Sequence, residues 1–205
     1  PVVEALGKKI DFEVKFCDYA MHGEKEVKEE LNQYCIQKDF NSDYLDYLAC
    51  FLEDGNASRC IKKVGIDESD LADCINTADE KFKVMESFAD KNTWKGSFPT
   101  FGIYQREVDK YGVQGSPTLV VNGAEVSSAR DSASLLKTIC GAFNEAPSEC
   151  DSNVSSASPS PGFGYSAGTA ASAGGGCGNG CTAGNNCGLS TCGATKGGTC
   201  GCGSK

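Results

Sequence analysis

The sequence has no apolar run that approaches the roughly 18 to 20 residues needed to cross a membrane. Positive charge is also scarce, because 19 Lys and Arg residues face 28 Asp and Glu residues and leave a net charge of −9. We therefore expect a soluble protein without a membrane segment. An acidic chain repels phosphate groups, which argues against nucleic acid as a partner.

No initiator Met, basic region or apolar leader is visible at Pro1, so the sequence shows no targeting signal. It nevertheless contains 13 cysteines. A reducing cytosol gives little reason to keep so many thiols, whereas secreted, periplasmic and lumenal proteins use them as disulfides. Cysteine usage therefore predicts an extracytoplasmic protein.

Composition changes near Asp151. Fifteen of the 25 glycines follow residue 150, in segments too poor in apolar surface to offset the entropy of ordering. We predict a flexible Ser/Pro/Gly linker over 151–176 and a disordered Cys/Gly-rich tail over 177–205. The tail and linker carry +1, so the folded body over 1–150 carries −10.

The body has the pattern of a mixed α/β domain. The segment PVVEAL before Gly7 predicts the end of a helix with a glycine stop. Ile10, Phe12, Val14 and Phe16 alternate with charged residues, which predicts a half-buried strand. Further on, Asn122-Gly123 after an apolar run predicts a β-hairpin.

Helical spacing dominates residues 24 to about 92. One apolar stripe contains Val27, Leu31, Tyr34 and Cys35, and a second contains Leu45, Leu48 and Leu52. Asp67 is a candidate N-cap, and Thr77 with Glu80 matches a capping box for a separate helix. A last helix follows Arg130 and Asp131, with Leu135, Leu136, Ile139 and Phe143 on one face.

Polar and aromatic residues of this region have simple explanations. The acidic run Glu24, Glu26, Glu29 and Glu30 is most simply the solvated face of a helix, with Glu24 and Lys28 as i,i+4 neighbours. His22, the only histidine, is better explained as a cap or loop residue than as a general base. The aromatic residues Phe51, Trp94, Phe98 and Phe101 are candidates for a peptide groove, although core packing is the commoner role.

Six cysteines of the body are predicted to form structural disulfides. Cys35, Cys50, Cys60 and Cys74 allow three pairings, and their wide spacing does not suit zinc. Cys140 and Cys150 flank a short loop that one disulfide could close, at a typical stabilisation of about 2 to 4 kcal/mol. No metal site or cofactor is assigned to the body.

The six tail cysteines leave three interpretations open. Cys177, Cys181, Cys187, Cys192, Cys200 and Cys202 could hold a soft ion such as zinc or copper(I), form three disulfides, or belong to a reactive tether. Sequence spacing does not choose among them.

The segment YGVQGSPTLVVNG, from Tyr111 to Gly123, resembles the proline loop and hairpin of thioredoxin-fold proteins. The segments DYAMHGEKEVKEELNQYC and GIDESDLADC resemble the helical insertion of DsbA-like thiol-disulfide oxidoreductases, and the chain is also similar to the gamma-interferon-inducible lysosomal thiol reductases. The resemblance covers roughly residues 1 to 150. It implies an α/β thioredoxin-like fold with a helical insertion at about 24–92.

The resemblance further implies that Pro117 follows a cis peptide bond and that Ser116 offers backbone groups to a substrate chain. It places a central strand and a Cys-x-x-Cys dithiol before the first helix, but no such motif occurs in this sequence. We therefore expect an N-terminally incomplete domain, with a vacant strand position between the Ile10 strand and the Thr118 strand.

Cys17 is the only candidate nucleophile in the body, and it is a weak one. Alanine occupies the resolving position of Cys17-Asp-Tyr-Ala20, and Asp18 opposes formation of a thiolate. An inert thiol at the end of the Ile10 strand is the simpler interpretation of Cys17. A role in redox sensing is another.

Three functions follow from these observations. The first is the C-terminal part of an exported thiol-disulfide oxidoreductase that acts on protein or peptide thiols and disulfides, with its dithiol missing from this chain. The second is a redox-inactive thioredoxin-like domain that binds peptides. The third is a metal-binding protein that works through its tail.

Overall fold

The computed structural model describes residues 1–160 of the chain. Over that range the protein is mixed α/β and mostly helical, with one two-stranded antiparallel sheet. The helices and strands are α1 (Val2–Leu6), α2 (Glu24–Asp39), α3 (Tyr44–Asp54), α4 (Ala57–Val64), α5 (Glu68–Phe82), α6 (Val84–Ala89), α7 (Gln105–Tyr111), β1 (Leu119–Val121), β2 (Ala124–Val126) and α8 (Ser132–Cys140). Short 3₁₀ helices connect them at Gly7–Lys9, Asn41–Asp43, Lys91–Thr93, Gly102–Tyr104 and Ser148–Asp151. None of these helices has the length and apolar character that crossing a bilayer requires.

The predicted helix ends are largely confirmed. Helix α1 ends at Gly7, whose φ of 50° lies in the region that favours glycine. Asp67 caps α5 by accepting hydrogen bonds from the backbone N–H groups of Ser69 and Asp70. Asp131 caps α8 in the same way through Ser134. Carboxylates at helix starts therefore fix where two of these helices begin.

The capping box predicted at Thr77 is wrong. Helix α5 runs through this position, and the Thr77 hydroxyl donates to the backbone carbonyl of Asp73 at 2.8 Å. A threonine hydroxyl can bond to the carbonyl one turn earlier without ending the helix. One helix of 15 residues therefore replaces the two that the sequence predicted.

Helices α2 to α6 enclose the larger of two apolar clusters. Its fully buried side chains include Val27, Leu31, Tyr47 and Phe101. In α3, the buried face carries Tyr44, Tyr47 and Cys50, whereas Leu52 of the predicted leucine stripe is 43% exposed. The disulfide from Cys50 to Cys60 of α4 turns this face inward.

A second, smaller cluster joins the first and last helices. Val2 and Leu6 of α1 are buried against Leu136 of α8. Val154 also packs there, and the carbonyl of Ser155 accepts a hydrogen bond from the backbone N–H of Ala133 at 3.0 Å. The chain thus lies against α8 again at Val154 and Ser155, well beyond the end of α8 at Cys140.

The strand predicted over Ile10 to Phe16 is wrong. Residues 11–17 form no ladder with any strand among residues 1–160. Their side chains still alternate, because Val14 and Phe16 pack against the larger cluster while Glu13 and Lys15 are exposed. The predicted pair of strands on either side of a vacant position is therefore not present.

The hairpin is confirmed. Leu119, Val120 and Val121 pair with Val126, Glu125 and Ala124. Asn122 and Gly123 have φ values of 48° and 83°, as a two-residue turn of type I′ requires. The turn is fixed to the rest of the domain by the Asn122 side-chain amide, which donates to the carbonyl of Ala142.

Part of the predicted domain organisation lies outside the described residues. These are residues 161–176 of the predicted linker and the whole tail over 177–205 with its six cysteines. The predictions made for them remain predictions.

Candidate peptide-binding site

The loop that carries Ser116 and Pro117 leads from α7 into β1. Gly112 ends α7 with a φ of 62°, and the Thr118 hydroxyl donates to the carbonyl of Gly115 at 2.7 Å. The Ser116–Pro117 peptide bond is cis, as the resemblance implied, and both residues are exposed.

The backbone of this loop is open to a further partner. Within residues 1–160, the N–H groups of Gly115, Ser116 and Thr118 donate to no acceptor. Strand β1 pairs with β2 alone in this part of the chain, so its other edge is also open. Unpaired backbone groups on an exposed edge can bond to an extended polypeptide, which is how peptides add to sheets.

A groove of about 590 Å³ ends at this loop. One side is built by the segment after Cys17 and by the loop before Pro99, and the other by α7 and the start of the proline loop. The lining residues are Asp18, Tyr19, Met21, Lys95, Phe98, Val108, Asp109, Gly112, Val113 and Gln114. The Tyr19 hydroxyl comes within 3.7 Å of the place where a Cβ atom on Gly115 would lie, so the groove and the loop adjoin.

Short antiparallel pairing fixes the first side of the groove. Tyr19 forms a bridge with Thr100, and the N–H of Ala20 donates to the carbonyl of Pro99 at 3.0 Å. The N–H of Phe101 donates to the carbonyl of Asp18 at 3.0 Å. This pairing aligns aromatic side chains in the groove, where the Tyr19 and Phe98 rings stack with their centroids 6.0 Å apart.

An ion pair lies on the side of the groove that is built by the segment after Cys17 and the loop before Pro99. The Asp18 carboxylate is 3% exposed and is paired with the half-exposed Lys95 ammonium. Asp18 is thereby neutralised locally, whereas the sequence predicted only that Asp18 would oppose a thiolate at Cys17. Lys95, which sequence reasoning missed, is 77 residues away along the chain, so only the fold brings the two together.

Cys17 is the free cysteine of residues 1–160. It is half-buried, and this burial raises the pKa of its thiol, as do the negative charges of Glu30 and Glu26. The thiolate is the nucleophilic form, so this environment works against an attack by Cys17. The six other cysteines of the described range are all paired, so none of these six supplies a resolving thiol for Cys17.

The prediction that Glu30 lies on the solvated face of a helix is wrong, because its carboxyl group is buried near Cys17. Glu30 is 8% exposed, and its Oε2 atom has no hydrogen-bond partner within residues 1–160. Burial, with a contribution from Glu26, raises the pKa of Glu30 to about 8. Glu30 is three residues after the buried Val27, a spacing that could have revealed its position.

The other polar and aromatic predictions have mixed outcomes. Glu24 and Lys28 do form an ion pair at 2.7 Å on the exposed side of α2. His22 is an exposed loop residue whose Nδ1 atom is 3.3 Å from Glu26. Of the four candidate groove aromatics, Phe98 lines the groove and Phe101 is fully buried in the core.

The six cysteines predicted to be structural are all paired. The disulfides join Cys35 to Cys74, Cys50 to Cys60 and Cys140 to Cys150. Three disulfides within residues 1–160 are compatible with a protein outside the cytoplasm. In the same range, no three His, Cys, Asp or Glu side chains converge in a way that could hold a metal ion.

Comparisons with models of protein families, with curated proteins and with solved structures give no match to this chain. What the site can do therefore follows from its own geometry: an exposed loop with unpaired backbone groups adjoins an open groove with stacked aromatic rings.

Proposed function

We propose that this chain is the substrate-holding part of an exported thiol-disulfide oxidoreductase with a thioredoxin-like fold, whose dithiol lies outside the 205 residues. The observation that carries the proposal is the exposed loop at Ser116 and Pro117, with its unpaired backbone N–H groups beside the groove. An extended substrate would bond to these groups and lay its side chains in the groove.

The chemical step follows from thiol-disulfide exchange. A thiolate of the dithiol attacks one sulfur of the substrate disulfide, forms a mixed disulfide and releases the other substrate sulfur as a thiolate. The second thiol of the pair, once deprotonated, attacks the mixed disulfide and releases the substrate. The substrate gains two electrons as the dithiol becomes a disulfide, and the opposite direction oxidises the substrate.

The role of this chain in that step is to hold the substrate still. Binding through backbone groups is compatible with many substrate sequences, because every residue except proline has both an N–H and a C=O group. Holding the disulfide at a fixed place converts an encounter in solution into a step between bound groups.

A reading of the coding sequence upstream of Pro1 tests the oxidoreductase proposal directly. We expect a strand followed by a Cys-x-x-Cys motif. A start codon immediately before Pro1, with no such motif, would contradict the proposal and leave the binding function alone.

A redox-inactive peptide-binding domain is the second candidate. The raised pKa of Cys17 and the pairing of the other six described cysteines favour it for the chain of 205 residues alone. In an insulin reduction assay, we expect this chain and its Cys17→Ala variant to show equally little activity above background. Activity that is lost in Cys17→Ala would make Cys17 the nucleophile and overturn both candidates.

Peptide binding itself is tested by two-dimensional NMR of the full chain. Addition of an extended cysteine-containing peptide should shift the backbone amide signals of Gly115, Ser116 and Thr118 and leave that of Gly65, after α4, in place. The same peptide with (E)-alkene groups in place of alternate peptide bonds should bind more weakly, because it has lost the backbone carbonyl groups that accept from these N–H groups. Equal binding of both peptides would exclude the backbone mode.

Metal binding by the tail was the third function predicted from the sequence. The tail cysteines lie outside the described residues, so this function stays a prediction. A comparison of bound zinc or copper after mild reduction, with and without residues 177–202, would test it.

A further inference from the structure

The charge of the groove narrows the class of polypeptide that it would hold. We infer that the groove takes segments in which a lysine or arginine neighbours a bulky apolar side chain, an inference that rests on the proposed peptide-binding function. The observations that carry it are one carboxylate without a counter-ion, a pair of stacked rings and an exposed methionine, all lining the same groove.

Three groups that line the groove carry a formal charge at neutral pH. Asp18 and Lys95 neutralise each other in their ion pair. Asp109 is exposed, and its Oδ1 atom accepts a hydrogen bond from the neutral Gln105 side chain at 2.8 Å. No Lys, Arg or His in residues 1–160 forms an ion pair with it. The groove therefore carries one uncompensated negative charge.

The net charge of the chain has the same sign as this carboxylate. The whole chain has a net charge of −9, so an approaching cation is attracted and an approaching anion is repelled over a distance of about a Debye length. A lysine or arginine side chain next to Asp109 can form an exposed ion pair. The faces of the Tyr19 and Phe98 rings offer a cation a second favourable contact.

The apolar part of the groove accounts for the neighbouring bulky residue. Met21 is 55% exposed, which is unusual for a side chain of its size, and it lines the same groove as the stacked rings. A methionine side chain is unbranched and adapts to differently shaped partners. Together these side chains form an apolar surface. This surface is removed from water when an aromatic or aliphatic side chain of the bound segment packs against it.

The path of the bound segment follows from the position of the groove. Gln114, at the end of the groove, directly precedes the loop with unpaired N–H groups, and Asp109 is on the helix that leads to that loop. A segment bonded to the loop would thus pass Asp109 and Met21 with side chains a few residues away from the bonded part. Selection by charge and backbone bonding are therefore separate contributions at one site.

The inference is tested with three peptides of equal length that differ at one position, occupied by Lys, Gln or Glu beside a constant Phe. Binding to the full chain is followed by the fluorescence of Trp94, the only tryptophan, which precedes Lys95 of the groove. We expect the Lys peptide to bind about two- to fivefold more tightly than the Gln peptide, because this is the usual contribution of one exposed ion pair to affinity. The Glu peptide should bind more weakly than both, and about 0.5 M salt should reduce these differences.

Variants assign the preference to the carboxylate. Asp109→Asn should bring the ratio of Lys to Gln affinity close to one, whereas Glu145→Gln, at an exposed position away from the groove, should leave the ratio unchanged. A ratio that survives in Asp109→Asn would overturn the inference. Equal affinity of the natural chain for the Lys and Glu peptides would overturn it as well, while leaving the proposed function standing. Failure of all three peptides to bind would instead overturn the proposed function.

Discussion

Glu30 shows how one buried carboxyl group can lower the stability of a fold. It lies on α2 between the buried Val27 and Leu31, so the helix cannot hide these two without also covering part of Glu30. Its Oε2 atom has no hydrogen-bond partner within the described range, and a buried polar atom without a partner destabilises the folded state. The neighbouring Glu26 adds repulsion, which the protein reduces by keeping Glu30 protonated.

The protonation of Glu30 gives a testable pH dependence. Burial raises its pKa from 4.5 to about 8, so between these values the folded protein holds a proton that the unfolded chain has lost. The contribution of Glu30 to the free energy of unfolding therefore falls as pH rises through this window. We expect the free energy of unfolding of Glu30→Gln, relative to that of the natural chain, to increase by about 4 kcal/mol between pH 5 and pH 8.5, measured by urea unfolding.

A matched variant separates this effect from general changes in charge. Glu24→Gln removes an exposed carboxylate of the same helix, and its effect on stability should be nearly the same at both pH values. If the difference between Glu30→Gln and the natural chain did not change with pH, the titration of Glu30 would not be responsible.

At the scale of elements, the segment before Cys17 shows how a strand-like pattern can exist without a strand. The side-chain amide of Gln37, on α2, accepts from the N–H of Val14 at 2.7 Å and donates to its carbonyl at 2.9 Å. One glutamine thus provides both bonds that a neighbouring strand would give to this residue. Helix α2, not a sheet, holds the segment in place.

Removal of this amide should loosen the segment. Gln37→Met keeps the length of the side chain but leaves the N–H and C=O groups of Val14 without partners, at an expected cost of about 1 to 3 kcal/mol in the free energy of unfolding. Urea unfolding measures the loss. Gln105→Met is the control, because the Gln105 amide bonds only to an exposed carboxylate and should cost much less. Equal losses in both variants would contradict the role of Gln37.

At the scale of the whole described body, three disulfides connect helices that share two separate apolar clusters. Cys35–Cys74 links α2 to α5, and Cys50–Cys60 links α3 to α4, all within the larger cluster. Cys140–Cys150 closes the chain after α8 beside the smaller cluster. Two small cores depend more on such cross-links than one large core would.

The length of chain between the cysteines predicts which disulfide matters most. Cys35 and Cys74 are 39 residues apart, whereas Cys140 and Cys150 are 10 apart. Loop-closure entropy assigns about 4 kcal/mol to the first and about 3 kcal/mol to the second. We expect the Cys35→Ala/Cys74→Ala pair to lower the thermal midpoint more than the Cys140→Ala/Cys150→Ala pair.

A third pair of substitutions checks the cause. Cys50 and Cys60 have the same separation of 10 as Cys140 and Cys150, but both are buried. Any extra loss in their alanine variant therefore reports lost packing and not entropy of the chain. A smaller loss for the Cys35–Cys74 pair than for Cys140–Cys150 would contradict the entropic order.

Local features of this protein could be predicted because neighbours in sequence make them. Gly7 stops α1, Asp67 and Asp131 start α5 and α8, and Asn122-Gly123 turns the hairpin, in each case through contacts within a few residues. The same local signals failed at Thr77, where a hydroxyl bonded backwards within its helix.

The sequence by itself determined the helical block, the hairpin and the set of six cysteines that pair, since periodicity, turn chemistry and composition are properties of short stretches of chain. Only the tertiary structure decided how Cys35, Cys50, Cys60 and Cys74 pair and that Lys95 neutralises Asp18. It also decided that Gln37 takes the place of a strand beside Val14. These outcomes depend on groups that are distant in sequence, and their energies arise only when packing removes water from between them.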